Sequence, residues 1–125
     1  RDVFEITNYE IEFDEYATLP NGHVIERVLD TSDNSNSICR LDSSEITLPL
    51  IVRTRRLGDK MAVKGMDGTK KIKDIFIDSK INLTERDSWP IVVDSKGKVV
   101  WIPGVKKSKF DKKKIDSYDI ILKYS

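Results

Sequence analysis

The sequence predicts an α+β domain whose β part folds as a sandwich, with one or two helices, and three patterns carry that prediction. Short stretches in which apolar and polar residues alternate with period 2 are separated by turn residues. Two β-branched runs flank Asp94-Ser95-Lys96-Gly97-Lys98, a strong hairpin signal. Near Ile72, apolar residues fall instead at helical spacing.

Taken in order, Tyr9, Ile11 and Phe13 alternate with Glu10, Glu12 and Asp14, as in a strand with one wet face. Leu19-Pro20-Asn21-Gly22 reads as a turn, because Pro presets one dihedral and Asn or Gly tolerates positive φ. A second strand, about residues 23–29, is expected to return antiparallel to the first. Residues 31–37 contain no apolar side chain and read as an exposed loop. Strands are expected near Ile38 to Leu41 and Leu50 to Thr54.

Gly58, Gly65 and Gly68 then punctuate a loop ending at Thr69, a candidate helix cap, and Ile72, Ile75 and Phe76 form an i, i+3, i+4 stripe. Lys70, Lys71 and Lys73 would give this helix a basic first turn, which its dipole disfavours by roughly 0.3–1 kcal/mol per cation. Such a cost at adjacent positions hints at a task for the charges. A short helical turn over residues 82–87, the hairpin, a lysine-rich stretch from Val105 to Lys114 and a last strand near Tyr118 to Tyr124 complete roughly eight strands.

At 125 residues and 14.4 kDa the chain suits one domain, 1–125. Its texture divides into an acidic β-rich part (1–45), a basic core (46–105) and a lysine-rich segment with the last strand (106–125). Apolar runs such as Leu48 to Val52 are too short for a membrane span or a signal-peptide core. The single cysteine, Cys39, excludes an internal disulfide, and with one histidine, His23, a His/Cys metal site is not expected. A chain beginning at Arg1 is expected to be a piece of something longer.

The formal net charge of +1 hides a strong asymmetry. Residues 1–50 hold three Lys/Arg against eleven Asp/Glu, whereas residues 51–125 hold nineteen against ten. The basic part would suit a polyanion, and the acidic part a solvated or partner-facing surface. Pairing of the two halves across the fold would use the same charges differently.

Catalytic chemistry finds little support. His23 lies in a polar turn with no matching nucleophile, and Gly65 to Lys70 lacks the spacing of a phosphate-binding P-loop. The cations are more informative. Arg53, Arg55 and Arg56 surround a strand end, and Lys60, Lys64, Lys70, Lys71 and Lys73 follow within twenty residues. Guanidinium forks and ammonium point charges suit phosphate oxygens, although a solvated charged face would look the same in composition. Trp89 and Trp101 could stack on bases, but beside a hydrophobic hairpin they read as core.

The order and spacing of four segments resemble the C-terminal domain of bacterial tRNA(Ile)-lysidine synthetases. These are Leu50 to Met61 with Arg55-Arg56-Leu57-Gly58-Asp59, Lys64 to Ile81 with Gly65, Gly68 and Lys70-Lys71-Ile72-Lys73, Arg86-Asp87-Ser88-Trp89-Pro90, and Val100-Trp101-Ile102-Pro103-Gly104. Leu57 and Asn82 stand where that family usually has Pro, departures that remove a dihedral restraint and no charge.

The resemblance implies a layered β-sandwich similar to a domain of the phenylalanyl-tRNA synthetase β-subunit. It also implies a cytoplasmic parent enzyme that uses ATP, with magnesium, to attach lysine to the wobble cytidine of an isoleucine tRNA. The family's catalytic Ser-Gly-Gly-x-Asp-Ser loop has no counterpart here, since no two glycines are adjacent. The chain is therefore expected to be non-catalytic, to need no cofactor of its own, and to bind tRNA(Ile) at the acceptor-stem region. Arg55 and Arg56 match the motif's arginine pair and Lys70, Lys71 and Lys73 its basic helix start, while Gly58 and Asp59 would fix the turn. Arg86 and Asp87 would pair with each other, and the carboxylates of residues 10–15 would lie away from the basic face. The competing reading is a docking or dimerisation module that meets the catalytic and linker domains, or a second copy, through the acidic first half.

Overall fold

The computed structural model describes residues 8–125; the start of the acidic segment, with Arg1, lies outside them. Eleven strands are present among the described residues: β1 (Glu10–Phe13), β2 (Tyr16–Thr18), β3 (Val24–Arg27), β4 (Ile38–Leu41), β5 (Leu50–Thr54), β6 (Lys60–Met61), β7 (Lys70–Lys71), β8 (Pro90–Val93), β9 (Val99–Ile102), β10 (Lys106–Lys107) and β11 (Ile120–Tyr124). Helix α1 spans Ile72–Asp78 and α2 spans Leu83–Arg86. The count exceeds the eight expected because β6, β7 and β10 have two residues each, too few to leave an alternation in the sequence.

All strand pairs are antiparallel, in a five-stranded sheet ordered β1-β5-β8-β9-β10 and a four-stranded sheet ordered β2-β3-β11-β4. One buried cluster lies between them, built from Phe13, Leu50, Val52, Val92 and Trp101 of the first and Ile25, Cys39, Leu41, Ile120 and Leu122 of the second. A second cluster covers the other face of the five-stranded sheet, where Ile91, Val93, Val99 and Ile102 meet Met61, Val63 and the Ile72, Ile75, Phe76 stripe of α1. The result is a layered α+β sandwich, as the sequence predicts.

Strand β8 shows why its apolar run is continuous. Ile91 and Val93 face the helix-side cluster and Val92 faces the inter-sheet cluster, so both faces are dry. In β9 the alternation breaks, because Val100 and Trp101 both enter the inter-sheet core. The register accounts for this: Val92 pairs with Trp101 and Val93 with Val99, leaving Val100 as the extra residue of a bulge. Gly97, at φ 85°, supplies the positive dihedral of the hairpin loop. Asp94 closes that loop by accepting from the backbone N–H of Lys96 and Lys98 with one oxygen and of Thr47 with the other.

Three local expectations change. Strand β3 returns against β2, not against β1, because the chain bends at Asp14-Glu15 and passes from one sheet to the other. Thr69 does not cap α1. Lys70–Lys71 are held extended by pairing with Lys60–Met61, so the helix begins at Ile72 with Lys71 at its N-cap, and the Ile72 N–H donates to the Asp59 carbonyl at 3.0 Å. Only Lys73 of the three lysines occupies the first turn. Arg86 and Asp87 do not pair either: Arg86 Nε donates to the Ile81 carbonyl at 2.8 Å, and Asp87 faces Arg55.

Trp101 is fully buried and its Nε1–H donates to the Asn36 carbonyl at 3.0 Å; Trp89 is half-buried, with Nε1–H to the Pro103 carbonyl at 2.9 Å. The polar 31–37 loop thus carries a core contact as well as an exposed surface. Trp101→Ala is expected to destabilise the fold by about 3–5 kcal/mol in chemical denaturation. A decrease below about 1 kcal/mol would mean that the ring is not part of the packed core.

Candidate nucleic-acid interface

Strand β5 delivers three arginines to one end of the sandwich, and they differ in kind. Arg53 lies on the helix side of β5, where its side chain is 6% exposed. Its two terminal nitrogens donate to the two carboxylate oxygens of Asp59 at 2.8 and 3.1 Å, and one also reaches the Thr54 carbonyl. Arg53 was expected to contact phosphate, but this bidentate pair engages its guanidinium inside the protein.

Asp59 in turn accepts from the Arg56 N–H at 2.6 Å, and its own N–H donates to the Arg56 carbonyl at 3.0 Å. Between them Gly58 adopts φ 89°, a conformation that glycine takes without strain. Burial alone would raise the pKa of Asp59. The bonds from Arg53 and the Arg56 N–H, with the charges of both arginines, outweigh it and hold the carboxyl below its ordinary value.

The turn fixed in this way opens a cleft of about 290 Å³ lined by Arg55, Arg56, Leu57, Gly58, Asp59, Lys71, Ile72 and Lys73. Arg55 lies over the Phe76 ring, 5.7 Å from its centre, and pairs at 3.1 Å with Asp87, which is 80% exposed. Arg56 pairs with Glu10, and Lys70 with Asp78, both at the surface. Exposed pairs of this kind contribute about 0–1 kcal/mol, so an incoming polyanion can displace them. Lys71 and Lys73 are exposed and form no ion pair among the described residues. Lys60 stands opposite Lys71 in the β6–β7 register, a like-charge juxtaposition that costs stability unless an anion offsets it.

Residues 50–120 match the family described as the TilS substrate C-terminal domain. The chain belongs to this family. Similar proteins include a tRNA(Ile)-lysidine synthase of Bacillus subtilis, 47% identical over 115 residues and 89% of this chain, and one of Geobacillus kaustophilus, 44% identical over 82% of it. The chain spans about a quarter of the length of these relatives, 24% and 23% respectively. A crystal structure of a TilS C-terminal domain superimposes with a TM-score of 0.85 at 41% identity, covering 94% of this chain and 96% of that one. A chain of nearly the same extent therefore crystallised with the same fold.

Within this TilS C-terminal domain, the cleft brings together Arg55, Arg56, Lys71 and Lys73. Lys60 borders it through β6, and Lys70 points to Asp78 at the C-terminal end of α1. Lys64 lies elsewhere, paired with the buried Asp111. Glu10 was expected away from the basic face but reaches Arg56, because β1 pairs with β5 in a register that sets Glu10 opposite Arg53. No short-range pattern signals that register. Burial and the neighbouring Asp111 push the Cys39 thiol well above its ordinary pKa, which removes it as a nucleophile. Exposed His23 stacks on Tyr124 at 4.8 Å.

Asp59→Asn is expected to destabilise the domain by about 3–5 kcal/mol at neutral pH, since it leaves Arg53 without its counter-charge. The folded pKa of Asp59 lies below the unfolded value, so this contribution is complete above the ordinary carboxylate pKa, about 4. It is lost as the pH falls through the lower folded value. Urea melts of the two proteins should therefore differ most at neutral pH and converge in acid. A difference independent of pH would contradict the role of the ionised carboxylate.

Proposed function

We propose that this chain is the tRNA-binding, non-catalytic C-terminal domain of a tRNA(Ile)-lysidine synthase, and that the cleft between Arg55-Arg56 and Lys71-Lys73 holds backbone phosphates of an isoleucine tRNA at its acceptor-stem region. ATP, magnesium and lysine would bind elsewhere in the longer cytoplasmic enzyme, which attaches lysine to the wobble cytidine. The observation that carries this reading is the convergence of four cations on one concave surface, two of them without ion pairs among the described residues. Guanidinium groups can fork onto phosphate oxygens there, while the lysines add point charge. Lys60 and Lys70 extend the field at its margin.

A docking module is the competing reading. It draws on a groove at the opposite end of β5, lined by Phe13, Leu48, Pro49 and Ile120 and rimmed by Glu12, Asp14 and Arg27. Salt separates the two, because phosphate contacts weaken steeply with ionic strength and apolar contacts do not.

Lys71→Ala combined with Lys73→Ala should weaken binding of isoleucine tRNA and of an unrelated tRNA alike, since phosphates carry no base identity. The slope of log affinity against log salt should shrink by roughly 0.7–0.9 for each phosphate that the variant no longer neutralises. Both side chains are exposed, so folding should survive. An unchanged slope in the folded variant would contradict the cleft and favour docking.

A further inference from the structure

The lysines outside the cleft are not scattered. Residues 60–64 alternate, with Met61 and Val63 buried and Lys60 and Lys64 exposed. Residues 107–109 run beside them, joined by the Lys64 N–H to the Lys107 carbonyl at 3.1 Å and the Lys109 N–H to the Ala62 carbonyl at 2.8 Å. There Ser108 points inward, so Lys109 shares the outer face with Lys60 and Lys64, while the Lys107 side chain, 10% exposed, turns to the Asn34 carbonyl and Asp111. This ribbon contains no acidic residue over 60–64 or 106–110. It starts at the cleft, since Gly58 and Asp59 border both the cleft and a shallow depression shared with Lys60, Lys98 and Lys109.

The ribbon ends in another hollow, of about 360 Å³, lined by Arg40, Lys64, Lys107, Lys113 and Lys114 together with one carboxylate, Asp111. Arg40 is 1% exposed, yet it has no acidic partner among the described residues. Its terminal nitrogens donate to Asn34 Oδ1 at 2.8 Å and to the Thr31 and Asp33 carbonyls at 2.9 and 3.2 Å, and its buried Nε has no partner. Asp111 cannot balance it alone. One of its oxygens accepts the Arg40 backbone N–H at 3.0 Å, and the other lies between the ammonium groups of Lys64 and Lys107. Lys112 is neutralised by Glu45 at 2.8 Å. Lys113 and Lys114 are exposed with no ion pair among the described residues, although Asp116 accepts the Lys113 backbone N–H. A buried guanidinium held by neutral acceptors and by the Tyr118 ring, 5.8 Å from its centre, and ringed by lysines leaves a surplus of positive charge that a bound anion would offset.

We infer that this hollow is a second phosphate site, and that the ribbon carries the backbone of one RNA from the Arg55–Lys73 cleft to it. The inference rests on the RNA-binding reading of the cleft. Lys60 and Lys64 are four residues apart in an extended segment, about 13 Å, so the track is longer than a single phosphate contact.

The test uses the 125-residue chain with a tRNA transcript and, separately, inorganic phosphate. Lys113→Ala with Lys114→Ala should lower the salt slope by roughly 0.7–0.9 per phosphate released, and adding Lys71→Ala and Lys73→Ala should lower it by the sum of the two effects. The Arg40 Nε–H resonance should shift with tRNA at concentrations where inorganic phosphate leaves it in place. If the Lys113, Lys114 variant keeps its slope while that of the Lys71, Lys73 variant falls, the second site is wrong and the cleft stands. If neither variant changes, both readings fall. If inorganic phosphate shifts the resonance as far as tRNA does, the hollow is a free-anion site and the RNA track is overturned.

Discussion

The Asp59 carboxylate binds both terminal nitrogens of Arg53 and the Arg56 N–H, while the Asp59 carbonyl receives the first N–H of α1. One residue thereby joins the end of a central strand, the turn that follows and a helix from beyond a glycine-rich loop. Without that junction, Arg55, Arg56, Lys71 and Lys73 would be four cations on separate segments, and mutual repulsion would spread them apart. The charge-assisted bonds of Asp59 are strong because Arg53 and Asp59 are largely shielded from water, at 6% and 14% side-chain exposure. The family motif thus divides its labour. Asp59 and Gly58 make the turn, Arg53 anchors it from below, and Arg55 and Arg56 are what the turn presents.

The layering of the sandwich serves the same end. Strands β8 and β9 of the five-stranded sheet are dry on both faces, so α1 and the 60–64 segment rest on a rigid floor made of Ile91, Val93, Val99 and Ile102. Ile72, Ile75 and Phe76 point down into that floor, and the polar positions of the helix are left facing water. Phe76 does a second task by lying beneath the Arg55 guanidinium. A surface rich in cations is tolerable here because apolar burial directly underneath offsets the part of its cost that Glu10, Asp78 and Asp87 leave.

Local patterns made part of this legible in the amino-acid sequence, and the rest was hidden for identifiable reasons. The β8–β9 hairpin, the β5 strand and the α1 stripe are each readable from spacing alone. The motif order from Leu50 to Gly104 is enough to point to the family. What spacing does not show is pairing between distant segments. Glu10 meets Arg56 through the β1–β5 register, Lys70 and Lys71 are drawn out of the helix by β6, and the sheet change at Asp14-Glu15 sends β3 to another partner. Arg53, Arg55 and Arg56 look alike in composition, but β5 ends at Thr54, which keeps Arg53 in the strand beside Asp59 and leaves the others at the turn. The hollow at Arg40 is hidden for a similar reason, since its cations come from four separate stretches of chain.

The claim that Asp59 organises the cleft, over and above stabilising the domain, can be tested by native-state hydrogen exchange on Asp59→Ala under conditions where both proteins are folded. The Arg56 and Ile72 amides, sixteen residues apart in sequence but both bonded to Asp59, should lose protection together and by more than the Leu122 amide in the other sheet. Equal decreases at all three positions would show that the carboxylate adds stability without holding the turn and helix in place, and the account of the cleft would fail.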